Sequence, residues 1–154
     1  MRYRLATTAD GPTLAQLRWE FYIEDHGEPP SEDLATFTAS FVPFWERAIE
    51  ERRWFAWVAD RDDVIVANVW VFLIDKVPWP LPGATSMGYL TNTYTVPEAR
   101  NSGVGSELMR HVSVWAKDQR LELLIVWPSE QSAPFYERAG FEPSDESMEL
   151  RLNP

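Results

Sequence analysis

The sequence contains no cysteine among its 154 residues. This absence excludes disulfides, thiol nucleophiles and thiolate metal sites, and it is consistent with a reducing compartment. No apolar run reaches the roughly 18 residues that a membrane-spanning helix requires. The N-terminal segment leads into no signal-peptide core. We therefore expect a cytoplasmic protein with no membrane partner.

Basic residues are scarce, because 14 Lys and Arg stand against 24 Asp and Glu, which gives a formal net charge of -10. A nucleic-acid partner needs a basic footprint for the phosphates, so this balance argues against one. The charge is compatible with a cationic acceptor such as an amine, although solubility is the simpler explanation. The two histidines, His26 and His111, have no supporting carboxylate spacing, so we expect no metal site.

Large packing groups are plentiful, with 8 Trp, 8 Phe and 5 Tyr. A chain of this length predicts one domain, covering residues 1–154, with a full hydrophobic core. The hydrophobic patterns predict the order β-α-α-β-β-β-α-β-α-β, which is an α/β fold with a mixed central sheet flanked by helices on both faces. The predicted strands cover residues 1–6, 54–59, 64–74, 87–96, 121–127 and 148–152, and the predicted helices cover about 12–26, 34–49, 104–116 and 132–139.

A glycine-containing turn joins the strand at 87–96 to the helix that follows it. It reads Arg100-Asn101-Ser102-Gly103-Val104-Gly105, with the spacing Arg-x-x-Gly-x-Gly. Glycines allow close backbone approach to a ligand, and a helix N-terminus presents unpaired N–H groups with a partial positive charge. Together they predict an anion site suited to a phosphate. An ordinary strand-to-helix turn is the alternative interpretation.

Two common phosphate loops do not fit this turn. A Walker loop requires Gly-Lys-Ser/Thr, but Gly105 is followed by Ser106 and Glu107. A dinucleotide-binding fingerprint requires a third small residue three positions after the second glycine, and that position is Leu108. The anion therefore belongs to another class of ligand.

The turn resembles the acyl-CoA pyrophosphate loop of the GCN5-related N-acetyltransferase (GNAT) superfamily, Gln/Arg-x-x-Gly-x-Gly/Ala. A second motif, Phe135-Tyr136-Glu137-x-x-Gly140-Phe141, matches the C-terminal signature of that family. The order of predicted elements also looks like the GNAT fold, so the resemblance covers nearly the whole chain. It implies a GNAT-like sheet and acetyl-CoA as co-substrate, with no metal.

The resemblance also implies which residues hold acetyl-CoA. The strand before the loop would hold the pantetheine arm and the thioester carbonyl through its main chain, and the loop would hold the pyrophosphate. Two departures stand out: Asn101 replaces a common glycine, and the loop lacks the lysine that the family often has. Asparagine tolerates left-handed φ better than most residues, so the turn can survive. The implied residues are Thr93, Tyr94, Thr95, Val96, Arg100, Asn101, Ser102, Gly103, Val104 and Gly105, with Ser129 in place of a family asparagine.

Tyr136 is the catalytic residue that the resemblance implies, as the acid that protonates the departing thiolate. Packing under the loop is the alternative role for this side chain. The position at which some family members carry a glutamate base is Leu124, so that base is absent. Glu20 and Glu24 lie one turn apart on the first helix and, with Asn92, are the candidates for acceptor binding. A solvated helix face is the simpler interpretation of the two glutamates.

The sequence thus predicts an acetyl-CoA-dependent N-acetyltransferase that moves an acetyl group to a small amine by direct attack in a ternary complex. The alternative is a non-catalytic GNAT-like module that binds acyl-CoA or a partner for regulation. Identity of the amine and the choice between monomer and homodimer are left open.

Overall fold

The computed structural model describes residues 1–80 and 82–152 of the chain. Within these residues it contains five strands and four α-helices. The strands are β1 (Arg2–Leu5), β2 (Trp54–Arg61), β3 (Val64–Asp75), β4 (Ser86–Thr95) and β5 (Leu124–Val126), and the helices are α1 (Gly11–His26), α2 (Leu34–Glu50), α3 (Val104–Asp118) and α4 (Ala133–Arg138).

The strands form one mixed sheet in the order β1-β2-β3-β4-β5. The first four pair antiparallel, and β5 pairs parallel to β4. The expectation of a mixed α/β sheet is confirmed. No helix in residues 1–80 and 82–152 is long and apolar enough to cross a membrane.

Two hydrophobic cores sandwich the sheet. On one side α1 and α2 pack around Leu14, Trp45 and Trp70. On the other side α3 and α4 pack around Leu90 and Leu108. Because β3 contributes buried side chains to both cores, its apolar run belongs to the centre of the sheet, as its sequence predicts.

The final strand predicted at 148–152 is wrong, because the structure has no strand there. Met148, Leu150 and Leu152 are 97%, 84% and 82% exposed. Alternating apolar residues form a strand only where a neighbouring strand supplies backbone partners and a core covers one face. Neither is present for this segment among the described residues. The predicted strand at 121–127 is also too long, since pairing with β4 covers only Leu124–Val126.

Salt bridges connect β1 to the end of β2. Asp60 is 4% exposed and accepts hydrogen bonds from Arg2, at 2.6 Å, and from Arg4, at 3.3 Å. Arg4 also forms a two-pronged pair with Asp10, at 2.8 and 2.9 Å. Such forked pairs are among the stronger charged interactions in proteins. The pKa of Asp10 is lowered from 3.8 to about 2, and the hydrogen bond from Arg4 is the main cause.

The Asp10 pair should make stability depend on pH. Since the pKa of Asp10 is lower in the folded state than in the unfolded chain, the pair stabilises fully above about pH 4 and loses its effect as the pH falls toward 2. Asp10→Asn should therefore unfold at a lower urea midpoint than wild type at pH 6, and the difference should shrink between pH 4 and 2. Asp145→Asn, at an exposed position, is the control. A difference that does not vary with pH would contradict this role.

Candidate functional site

Strands β4 and β5 pair over only three residues and then separate. The pairing joins Gly88–Leu90 to Leu124–Val126, whereas β4 continues to Thr95. Beyond Leu90, no strand in the described part of the chain pairs with β4 on that side. The separation leaves an edge of main-chain groups open along the second half of β4.

A β-bulge lies at the start of this open edge. Asn68 pairs with Tyr94 and Trp70 with Thr91, so two residues of β4, Asn92 and Thr93, oppose a single residue of β3. Asn92 has a left-handed φ of 47°. Bulges redirect side chains and end pairing, and they are common next to active sites.

Asn68 is the polar residue that supports the bulge. It is 1% exposed among the apolar residues in the middle of β3, and its Nδ2 donates a hydrogen bond of 2.5 Å to the main-chain carbonyl of Asn92. The extra residue of a bulge loses its partner in the ladder, and an unpaired buried carbonyl is costly. The side chain of Asn68 therefore replaces the missing strand partner.

A cavity of about 880 Å³ opens along the free edge of β4. One wall comes from β4 itself and from the turn that leads into α3. The opposite wall comes from residues 129–132 and from α4, and the rim reaches Phe21, Glu24 and Asp25 on α1. The cavity thus joins the open strand edge to the N-terminus of α3.

The turn adopts the conformation expected of an anion site. Asn101 has a φ of 57° and Gly103 a φ of 81°, so Asn101 adopts the left-handed conformation that asparagine tolerates better than most residues. Ser102 Oγ donates to the carbonyl of Ala99 at 2.7 Å and holds the turn closed. Val104, buried in the core, anchors the first turn of α3. The first N–H groups of α3 consequently face the cavity end without partners within the helix.

Gly105 allows α4 to approach the first turn of α3. A Cβ atom added at this position would lie 3.3 Å from the Phe135 ring. A larger residue at this position would require the Phe135 ring to shift.

Arg100 links three parts of the site. Its Nε donates to the carbonyl of Thr95 at 2.9 Å, and its Nη2 binds Glu24 of α1 at 2.6 Å. Its guanidinium also lies over the Tyr94 ring, 5.6 Å from the centroid. The hydrogen bond that Arg100 donates to the Glu24 carboxylate is the main cause of a raised pKa for Arg100. In this arrangement Arg100 faces a carboxylate of the protein itself.

Tyr136 lies deep in the cavity wall on α4, with 6% exposure. Its ring packs edge-on against Phe135 and Phe141. Burial raises the pKa of its hydroxyl, and the nearby Thr93 hydroxyl partly opposes this effect. Tyr136 therefore stays protonated at neutral pH and can donate a proton. Among the described residues, the buried Oγ1 of Thr93 has no hydrogen-bond partner.

Most of the residues predicted for the site line this one cavity. Val96 and Ser102 do not, because Val96 packs into the cores and Ser102 supports the turn from behind. Glu20 accepts a hydrogen bond from Gln16, and Asn92 accepts one from Arg18, so both lie outside the cavity wall. The predicted residues that do line it are Glu24, Thr93, Tyr94, Thr95, Arg100, Asn101, Gly103, Val104, Gly105, Ser129 and Tyr136.

Sequence reasoning missed Arg138, which also lines the cavity. Arg138 lies three residues after Phe135 on α4, and this spacing places the two side chains on one face of the helix. Within the described ranges it forms no salt bridge. The sequence signal for this residue was its position within the C-terminal motif, where the three-residue spacing from Phe135 brings Arg138 to the same helix face.

Both histidines pack against aromatic rings and, among the described residues, lie in no cluster of possible metal ligands. His111 stacks on Tyr3 with ring centroids 5.1 Å apart, and His26 stacks on Tyr22 at 4.0 Å. Across residues 1–80 and 82–152, the structure contains no group of three or more His, Cys, Asp or Glu that could hold a metal ion.

Comparison with known proteins identifies the family. The model of the Acetyltransferase (GNAT) family matches residues 12–141. The chain belongs to this family of acetyltransferases. Among curated proteins, no relative matches the sequence.

Solved structures share the fold over nearly the full length. A predicted acetyltransferase from Clostridium acetobutylicum, solved with acetyl-CoA, is 25% identical with a TM-score of 0.79, covering 98% of this chain and 96% of its own. A GCN5-related N-acetyltransferase from Ralstonia eutropha is 22% identical with a TM-score of 0.74, covering 99% of each chain. Glucosamine-6-phosphate N-acetyltransferase from Arabidopsis thaliana is 14% identical with a TM-score of 0.71, covering 99% of this chain and 100% of its own.

The support that Asn68 gives the bulge can be tested by stability. Asn68→Leu keeps the approximate shape but leaves the Asn92 carbonyl unpaired, which should lower the free energy of unfolding by at least about 1 kcal/mol. Asn92→Gly is the matched control, because it retains the carbonyl and suits the positive φ; its stability should stay near that of wild type. Chemical denaturation measures both. A Leu variant as stable as wild type would show that the bulge does not need this hydrogen bond.

Proposed function

We propose that this protein is an acetyl-CoA-dependent N-acetyltransferase that acts on a small amine. The observation that supports this most is the single cavity that joins an open strand edge, a left-handed turn at a helix N-terminus and a buried, protonated tyrosine. The open strand edge can pair with an amide-containing arm, and the turn at the helix N-terminus can bind phosphate. The tyrosine can protonate a leaving group.

In this proposal the cavity holds the parts of acetyl-CoA in order. We propose that the main chain of Thr93–Thr95 pairs with the pantetheine arm and that Ser129 contacts it from the opposite wall. Val96 is left out of this pairing, because its N–H donates to the carbonyl of Val66 and its carbonyl accepts from Ala99, both at 2.9 Å. The turn from Arg100 to Gly105, through its N–H groups and the positive end of α3, would hold the pyrophosphate. Arg138 would supply a second cation in place of a lysine, since the turn contains Arg100 but no lysine.

The residues around the bulge would carry the chemistry. Acetyl-CoA supplies an acetyl group activated as a thioester, which a neutral amine attacks so that a C–N bond forms and the C–S bond breaks. Main-chain N–H groups near Thr93 would stabilise the negative charge on the carbonyl oxygen. Tyr136 would give its proton to the sulfur and regain one from solvent. Leu124 cannot accept the proton of the amine, so this proton would leave through water or an α1 carboxylate.

The acceptor would approach from the α1 side of β4. We propose that Glu20, Glu24 and Asn92 line this approach. Glu20 and Glu24 both raise the pKa of the Tyr94 hydroxyl, after the larger effect of burial. Carboxylates in this position would attract a cationic amine.

Release of CoA from acetyl-CoA, measured across a panel of primary and secondary amines, tests the proposal. Amine-dependent release above the rate with buffer alone is the expected result. Tight binding of acetyl-CoA with no release for any amine would contradict catalysis and favour the non-catalytic module. Failure to bind acetyl-CoA would remove the proposal altogether.

The role of Tyr136 can be separated from its packing. Tyr136→Phe removes one oxygen and keeps the ring, so the turnover number should fall about 10²–10⁴-fold while the Kd of acetyl-CoA changes little. The unfolding midpoint should be measured alongside, because a buried hydrogen bond contributes about 1 kcal/mol. Tyr22→Phe, on α1, is the matched control. Wild-type turnover in the Tyr136 variant would show that another group protonates the thiolate.

The ion pair between Glu24 and Arg100 should compete with the pyrophosphate. Glu24→Gln frees the guanidinium and removes a negative charge from the cavity rim, so acetyl-CoA should bind about two- to fivefold more tightly, the range expected for an exposed pair. Titration calorimetry gives the Kd, with Glu28→Gln as control. Weaker binding in Glu24→Gln would mean that Glu24 instead holds Arg100 in its productive position.

A further inference from the structure

Helix α1 follows β4 from the bulge to the phosphate turn. Arg18 contacts Asn92 at the bulge, Phe21 stacks on Tyr94 with ring centroids 5.6 Å apart, and Glu24 binds Arg100 in the turn. These three residues of α1 are spaced three apart and so share one face. Arg18 is therefore about 9 Å from Glu24 along the helix axis. Arg18 lies beside the bulge at Asn92, and Glu24 lies beside the turn at Arg100, where the pyrophosphate is proposed to bind.

Arg18 lies at the end where acyl transfer is proposed. It contacts Asn92, the residue next to Thr93, and the hydroxyl of Thr93 lies close to that of Tyr136. Of the α1 residues that contact β4 or the turn, Arg18 is thus the one at the bulge end.

The guanidinium of Arg18 is restrained but carries no ion pair. Its Nη1 donates to Asn92 Oδ1 at 3.1 Å, and its central carbon lies 5.4 Å from the centroid of the Phe21 ring. None of the carboxylates in the described part of the chain forms a salt bridge with it. The neighbouring acids are engaged elsewhere, since Glu20 accepts from Gln16 and Glu24 binds Arg100.

We propose that Arg18, together with the amide of Asn92, binds a carboxylate on the acceptor, which makes the acceptor an amino acid or a similar amine that bears an acid group. The remaining N–H groups of the guanidinium form a planar fork that suits a carboxylate. A chain with a net charge of -10 repels anions overall, so an acidic acceptor needs such a local cation. This inference rests on the proposed acetyl transfer.

The test compares each α-amino acid with its own decarboxylated amine. In wild type, the KM of the best amino acid should be at least about tenfold below that of its amine, as expected for a charged hydrogen bond. Arg18→Met should raise the KM of the amino acid about tenfold and leave that of the amine unchanged. Arg18→Lys should restore part of the difference, because lysine keeps the charge but not the fork.

A charge-matched control variant and a direct binding measurement complete the test of the carboxylate site. Arg47→Met, on the exposed surface of α2, makes the same change in net charge and should alter neither KM. Calorimetry of the same amino acid with the CoA-saturated protein should show binding that Arg18→Met weakens about tenfold. Equal KM values for acid and amine in wild type, or equal effects of Arg18→Met on both, would overturn the carboxylate site. If no acceptor releases CoA, the proposed function fails, and the calorimetry still decides whether Arg18 binds a carboxylate.

Discussion

A single hydrogen bond inside the sheet, from the amide of Asn68 to the carbonyl of Asn92, determines where the site can exist. The bulge at Asn92 and Thr93 interrupts the hydrogen-bond ladder between β3 and β4. The amide of Asn68 donates to the Asn92 carbonyl, which the bulge leaves without a strand partner. Within a few residues, β4 also loses β5 as a neighbour. Without a strand beside it, the second half of β4 keeps main-chain groups available for a ligand, and the cavity lies along this edge.

The other parts of the site are arranged around that open edge. The turn after β4 uses Asn101 and Gly103 in left-handed conformations to direct the N-terminus of α3 toward the cavity. Gly105 lets α4 approach closely enough to place Tyr136 beside Thr93. On the opposite side, α1 runs along β4 and brings Arg18 to one end and Glu24 to the other. The proposed cofactor side and the proposed acceptor side therefore both adjoin one strand.

Local patterns in the sequence predict much of this arrangement. The sheet class, the central position of β3, the left-handed Asn101 and the shared location of the turn and Tyr136 all depend on short-range spacing or on matched motifs. The last strand fails because alternation at Met148 and Leu150 says nothing about whether a partner strand is present. The role of Asn68 is also invisible in the sequence, since it depends on a register shift between β3 and β4 and on a contact with Asn92, 24 positions away. The pair between Arg100 and Glu24, 76 positions apart, is equally a product of tertiary packing.

Amide hydrogen exchange during titration with acetyl-CoA tests the central claim most directly, because it reports on main-chain groups one by one. If the open edge of β4 pairs with the arm while the turn holds the pyrophosphate, exchange should slow at Thr93–Thr95 and at Val104–Ser106 together, with the same Kd. Amides of β1, on the far edge of the sheet, should not change. Slower exchange at the turn alone, with β4 unaffected at saturation, would contradict the view that the bulge and the open edge form the acyl-transfer site.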